Sequence, residues 1–287
     1  MQVGIDTDLV VYRAAFAAER MEYGVQYEDT AFGEEGVIWV QSAKEAKELT
    51  ENLLAKDGMT IGERLDRINL EPVEAALYNA KSIIERIANN LDVTGDDITL
   101  YFSGERNFRE DIATIKPYKG NRENNRKPTH GPAVIEYLQS GKWNYVISDN
   151  EEADDVLGCA HYKAFLEDPY SHVIASTDKD LDMIPGLHYN FVKEKQYFVD
   201  EEAAELTFWT QLLSGDSVDN IQGVPGIGTV RAKEALSECK TDLDRYTKAL
   251  ALYVQGYGGE FAEAALLENA RLIWIRRNEG ELWEPPI

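Results

Sequence analysis

Cysteine is scarce in this chain: Cys159 and Cys239 are the only two among 287 residues. They lie far apart, with neither metal-ligand spacing nor the number a disulfide framework needs, which points to a reducing, cytoplasmic setting. Long apolar runs are missing too, and none approaches the roughly 20 residues of a membrane span. The N-terminus is neither basic nor followed by a long apolar segment, so no signal peptide is expected. Basic charge is outnumbered, 29 Lys and Arg against 52 Asp and Glu, for a net charge of −23. As a total, that argues against nucleic acid, because phosphate binding favours a basic surface. Internal repeats, low-complexity tracts and flexible linkers are absent. A hydrophobic share of 44% still allows an ordinary core, and the length suits one large domain or two modest ones.

What the chain does have is carboxylates just beyond its short apolar runs. VGI ends at Asp6. NYVIS is followed by Asp149, Glu151, Glu152, Asp154 and Asp155. HVIAST runs into Asp178, Asp180 and Asp182, and Asp216 with Asp219 stands before the glycine-rich VPGIG. In an open α/β sheet, ligands bind outside the carboxyl ends of the strands. Acids gathered there repel one another unless they hold cations, and oxygen donors suit Mg²⁺ or Mn²⁺. Capping of a helix would explain two or three acids of DNEEADD. It explains less well why STDKD brings more acids to the same edge. Two cations about 4 Å apart could clamp an in-line phosphoryl displacement with no covalent nucleophile.

The pattern of elements is α/β, with a mostly parallel central sheet flanked by helices. Residues 2–6, 98–102, YVIS and HVIAS read as buried strands, with helices over 8–20, 43–56, 72–91, 132–139 and 151–166. Val73, Ala76, Leu77, Ala80, Ile83, Ile84, Ile87 and Leu91 mark one face of the helix that follows Pro72. Residues 25–40 suggest a hairpin near Gly33 and Gly36, and YNFV with QYFV suggests another. From Glu201 the pattern is helical, broken at 214–229. Residues 104–131 show no clean periodicity, and a stretch of that length is usually functional or mobile.

That stretch holds the local basic charge. From Thr114 to His130 there are five basic residues, Lys116, Lys119, Arg122, Arg126 and Lys127, against the single acid Glu123. Lys119 and Arg122 would be neighbours on a helix, Tyr118 offers a face for base stacking, and Arg109 is a further phosphate candidate. A cation beside a scissile phosphate stabilises the charge that develops during attack. A solvated basic loop is the plainer reading of the run by itself. In the later turn, Gly226, Gly228 and Thr229 can aim backbone amides and a helix N-terminus at a DNA phosphate. No Gly-Lys-Ser/Thr follows, so this is not a nucleotide P-loop.

Asp6, YKGNR, EADD, STDKD and GDSVDN with VPGIG occur in one order. That order resembles the 5′→3′ exonuclease and flap endonuclease family, whose nuclease domain is PIN-like, from about residue 2 to 236. NFREDIATIKPYKGNRENNRKP and ARLIWIRRNEGELW look most like the small exonucleases of tailed bacteriophages. The resemblance implies a PIN-like nuclease domain over 1–200, with a helical arch near 104–131. Residues 201–287 would form a helix-three-turn-helix region with C-terminal helices. It implies a first metal site of Asp6, Glu152, Asp154 and Asp155, and a second drawing on Asp178, Asp180, Asp216 and Asp219. Lys119 and Arg122 match the pair at the scissile phosphate. Implied cofactors are two divalent cations, Mg²⁺ or Mn²⁺, with K⁺ at the helix-three-turn-helix motif. Implied partners are DNA as duplex 5′ ends or flaps, RNA primer–DNA hybrids and replication proteins, with no membrane and a monomeric chain.

One departure stands out. The family usually has an aspartate after its second strand, where this chain reads YFSGERNFR; Ser103 and Gly104 take that place, with Glu105 next. Residues 21–70 match no motif. The acidic, aromatic C-terminus either packs on the nuclease or meets a replication partner. Two other functions remain open, a PIN-like ribonuclease and a catalytically weak protein that binds branched DNA.

Overall fold

In the computed structural model, residues 1–122 and 125–286 are described. Glu123, the one acid of the basic run, lies outside them. The chain forms two compact units: residues 1–10, 84–126 and 139–287 make the first, and residues 11–83 with 127–138 the second.

The first unit is built on a six-stranded sheet. In spatial order its strands are β6 (Asn144–Ile147), β5 (Ile98–Phe102), β1 (Gln2–Asp6), β7 (His172–Ala175), β8 (Gly186–Asn190) and β9 (Lys195–Val199). All neighbours pair parallel except β8 with β9, the expected hairpin. β1, β5 and β7 are short apolar runs, buried nearly throughout, as central parallel strands should be. β6 departs from expectation. YVI is apolar, yet Tyr145, Val146 and Ile147 are exposed, because β6 is the sheet's edge. Helix α6 (Ala153–Glu167) joins β6 to β7, the crossover that parallel neighbours require.

The C-terminal part of this unit is helical: α7 (Glu201–Ser214), α8 (Thr229–Leu236), α9 (Asp242–Tyr257) and α10 (Ala262–Ile273). Its core gathers Phe208, Trp209, Leu212, Tyr253, Leu266, Trp274 and Trp283. Trp283 sits 5.7 Å from Phe208 and 5.8 Å from Trp209 between ring centroids, so the aromatic tail packs against the helices rather than facing solvent. Between β5 and residue 126, the only helical segments among the described residues are α4 (Phe108–Ile112) and a 3₁₀ turn at Gly120–Arg122.

In the second unit, an antiparallel sheet runs β3 (Glu34–Val40), β2 (Glu19–Asp29), β4 (Met59–Leu70). Helix α2 (Ala43–Leu54) covers one side through Ala46 and Leu53 against Val25. The β2–β3 hairpin was legible in the sequence and β4 was not, since MTIGERLDRINL breaks its alternation with charges and a glycine. α5 (Gly131–Leu138) falls where expected. Helix α3 (Val73–Leu91), which belongs to this unit up to Ile83 and to the first from Ile84, buries Ala76, Ala80, Ile83, Ile84, Ile87 and Leu91, the face its periodicity marks. Among the described residues, no helix is long and apolar enough to cross a membrane.

Candidate functional site

The carboxyl ends of β1, β5 and β7 lie side by side, and strand register fixes what stands there. Asp6 closes β1 opposite Tyr101, and Ser176 and Asp178 follow β7. A cavity of 320 Å³ opens at this rim. Asp6, Glu152, Asp154, Asp178, Asp180, Asp216 and Asp219 all line it, together with Lys119, Arg122 and Tyr118. All but one of the expected metal ligands therefore converge, from sequence positions as far apart as 6 and 219.

Mutual repulsion in a desolvated place shapes their protonation. Burial, opposed by a 2.8 Å hydrogen bond from the Ser176 hydroxyl and reinforced by Asp8 and Asp178, pushes the Asp6 carboxyl up to about 7. Burial, then Asp178 and Asp216, takes Asp180 to about 7 as well. Asp154 is raised well above the carboxylate range, by burial first and then by Asp6, Asp178 and Glu152.

The basic segment reaches this cavity along a stitched path. Glu268 of α10 accepts the amides of Thr114 and Ile115, each at 2.8 Å. Asn220 donates to the Pro117 carbonyl at 2.9 Å, and the Lys119 amide donates to the Asp219 carbonyl at 3.0 Å. Lys119 adopts a left-handed backbone, φ 54°, which turns the chain there. Its ammonium pairs with Glu152 and stands 3.9 Å from Asp219, while the Arg122 guanidinium pairs with Asp219. Lys119 and Arg122 meet on a 3₁₀ turn rather than an α-helix.

Other expected residues are placed differently. Asp155 is fully buried and does not line the cavity; Arg109, which does, grips it through two hydrogen bonds of 2.5 and 2.9 Å. Burial by itself would raise Asp155, but the guanidinium holds it below the usual carboxylate range. Both its oxygens are therefore taken up by Arg109, and it stands apart from the seven expected acids that line the cavity. Arg109, expected to contact phosphate, is buried and also donates to the carbonyls of Leu272 and Trp274. Tyr118 offers no free stacking face: it is buried, and its hydroxyl donates to Asp219 at 2.9 Å and to Glu152 at 3.1 Å. Asp149, Glu151 and Asp182 stay outside the cavity, bonded to Arg106, Arg276 and Tyr197.

One further acid, not among the expected ligands, stands where β5 ends. Asp8, in the first turn of α1 (Thr7–Ala17), lines the cavity and accepts the Ser103 amide at 3.3 Å. The signal lay in the pattern Asp6-Thr-Asp8, where the second acid passes for an ordinary helix-start residue. Glu105 is exposed and does not line the cavity.

The donor set is all oxygen and suits a hard divalent cation. Asp154 strengthens the fit, since its carboxylate faces the cavity at a strong electrostatic cost. Among the described residues, no three acidic, histidine or cysteine side chains already form a ready metal cage. Loading would therefore require Glu152 and Asp219 to exchange their lysine and arginine partners for the ions.

A second, more open cavity of 630 Å³ is lined by Lys116, Ser217, Asn220 and residues 221–228. Here β10 (Gly215–Asp216) pairs with β11 (Ile221–Gln222), and the chain turns through Gly226, φ 79°, into α8. Gly226, Gly228 and Thr229 are exposed. Arg126 and Lys127 are exposed as well.

No family model matches the chain. It is 30% identical over 176 residues to a 5′-3′ exonuclease of Buchnera aphidicola subsp. Schizaphis graminum, covering 56% of this chain and 58% of that protein. It is 31% identical over 169 residues to DNA polymerase I of Rhizobium leguminosarum, covering 53% of this chain and 16% of the polymerase. A flap endonuclease Xni of Colwellia psychrerythraea is 34% identical over 104 residues, 32% of this chain and 34% of that one. The chain thus spans less than two thirds of each of these relatives. The T5 5′-exonuclease with zinc bound shares the fold at a TM-score of 0.57 and 17% identity, over 95% of this chain and 88% of that one. A bacteriophage T5 D15 flap endonuclease bound to DNA and metal ions gives a TM-score of 0.52 and 20% identity, over 69% of this chain and 80% of that one. The chain thus shares the fold of the T5 5′-exonuclease, and part of its sequence is similar to a 5′-3′ exonuclease and to a flap endonuclease.

Proposed function

We propose that the protein is a divalent-metal-dependent 5′→3′ DNA exonuclease that also cleaves flaps. The observation that supports this best is the convergence of seven expected carboxylates with Lys119 and Arg122 on one cavity. Asp6, Glu152 and Asp154 would hold one cation, and Asp180, Asp216 and Asp219 a second, with Asp178 between the sets. Bound Mg²⁺ or Mn²⁺ would activate water and neutralise charge on the phosphodiester oxygens.

The chain's own groups then have distinct tasks. Lys119 and Arg122, released from Glu152 and Asp219, face the scissile phosphate and stabilise the charge that grows on it. The amides of Gly226, Gly228 and Thr229 grip a backbone phosphate of the duplex, with Lys116 beside them and Arg126 and Lys127 as further cations. The carbonyls of this turn would seat a K⁺ ion. In this reading residues 1–200 are the nuclease domain, with 104–131 as its gateway, and 201–287 hold the duplex. Primer removal or DNA degradation in the cytoplasm during phage replication fits the likeness to the T5 enzyme. Asp8 at the β5 rim weakens the case for a catalytically weak DNA-binding protein.

Replacing Asp178 by Ala should abolish Mg²⁺-dependent release of nucleotides from a 5′-labelled duplex while the circular dichroism spectrum stays unchanged. Undiminished release would overturn the assignment. Cleavage of single-stranded RNA in preference to a 5′-flap duplex would favour a ribonuclease instead.

A further inference from the structure

On the metal-centre reading above, we propose that Asp8 is itself a ligand of that centre and supplies, from a helix, the carboxylate that the end of β5 lacks. Three strand ends meet at the cavity. β1 delivers Asp6, β7 leads to Asp178, and β5 between β6 and β1 runs out at Ser103 and Gly104, which carry no charge. Asp8 covers this gap. It starts from the first turn of α1, yet its carboxylate crosses to the Ser103 amide, which donates to both oxygens at 3.3 and 3.4 Å.

Ser103 is arranged to permit this. Its hydroxyl accepts the Ala153 amide at 3.1 Å at the start of α6 and also bonds the Asp8 carboxylate, so amide and hydroxyl together hold Asp8 at the rim. The adjacent Gly104 could not make room for a side chain either: a Cβ there would fall 2.2 Å from the Ser148 carbonyl oxygen. Among the described residues no cation forms an ion pair with Asp8.

A purely helical role explains less. An acid in a first turn stabilises its helix from a solvated position. Asp8 is instead held at the cavity, where Asp6 and Glu152 repel it and only its bonds to Ser103 and the nearby Lys119 offset them. A cation in the cavity would relieve that repulsion.

The test uses the full chain and Mn²⁺ alone, titrated calorimetrically, with thermal unfolding in EDTA as a second readout. Asp8→Asn should weaken Mn²⁺ binding at least tenfold while its unfolding temperature in EDTA stays level or rises. Glu105→Gln should bind as the parent does. Adding Ser103→Asp to Asp8→Asn should restore binding by returning a carboxylate to the strand end. Parental Mn²⁺ binding by Asp8→Asn, or lost binding by Glu105→Gln, overturns the proposal. A lowered unfolding temperature with unchanged binding assigns Asp8 to the helix only and also overturns it. Asp154→Asn separates the two levels of the argument. If it loses Mn²⁺ while Asp8→Asn keeps it, the Asp8 proposal alone falls; if it binds as the parent does, the metal centre falls with it.

Discussion

At the scale of single residues, Asp154 and Asp155 show how neighbouring carboxylates part company. Successive positions on a helix point about 100° apart, so Asp154 meets the cavity while Asp155 meets Arg109 in the interior. Removing one member of a buried, hydrogen-bonded ion pair strands the other charge, at about 3–5 kcal/mol. Arg109→Ala should therefore lower the free energy of unfolding in urea by about that amount, with or without Mg²⁺. A loss below ~1 kcal/mol would contradict the role given to the pair. The sequence marked both acids as candidates but could not say which faced in, because the start of α6 sets the rotation. The apolar runs, by contrast, located Asp6 and Asp178 directly, since a strand's end is where its buried run stops. The burial of Arg109 was not legible for a related reason: it depends on partners from α6 and α10, far away in sequence.

At the scale of elements, the β10–β11 hairpin depends on two glycines, Gly215 in β10 and Gly223 just after β11. A Cβ on Gly223 would lie 2.2 Å from the Gly215 amide nitrogen, and one on Gly215 would meet the Gly223 nitrogen at the same distance. Gly226 sits in open space, and only its φ of 79° resists a side chain. Gly226→Ala should cost about 1–2 kcal/mol, the penalty for a left-handed backbone. Gly223→Ala should cost more, since backbone itself must shift. Urea unfolding of the two variants side by side checks the order, and equal losses would contradict it. The glycine-rich turn was legible as a turn between helices; the obligate contact was not, because it joins residues on opposite sides of the hairpin. β4 escaped notice since its exposed face carries charge in place of alternation. β6 was recognised as a strand, but its place at the edge is a matter of sheet order, which local sequence does not encode.

At the scale of the whole molecule, stability should vary with pH through histidines remote from the cavity. Three of the four histidines cluster in the core, with His161 Nδ1 2.8 Å from His172 Nδ1 and the His161 and His188 rings 5.7 Å apart. Burial first, then His172 and His188, lowers His161 to about 2, and burial takes His172 to about 4. Unfolded, each titrates near pH 6.5. Between those values the unfolded chain binds more protons, so this contribution is complete above about pH 6.5 and is lost as pH falls toward 4. Asp6 and Asp180 have the opposite sign, their contribution fading as pH rises toward about 7. Comparison with His172→Asn cancels them. The parent should lose urea resistance relative to this variant between pH 7 and pH 4.5, and a constant difference would contradict the argument. Net charge is the other global quantity, and as a total it pointed away from nucleic acid. Where the charges sit weakens that argument, because eight of the 52 acids line one cavity, where cations can offset them.

The stitched path of the basic segment has a mechanical consequence. Pro117, Lys119, Asn121 and Arg122 are bonded to the backbone or side chains of Ser217, Val218, Asp219 and Asn220. Neither stretch can open without tearing the other's bonds. The strip that presents the cations and the strip that leads to the glycine turn therefore behave as two plies of one ribbon. A pull applied where duplex would be held arrives, undiluted by slack, at Lys119.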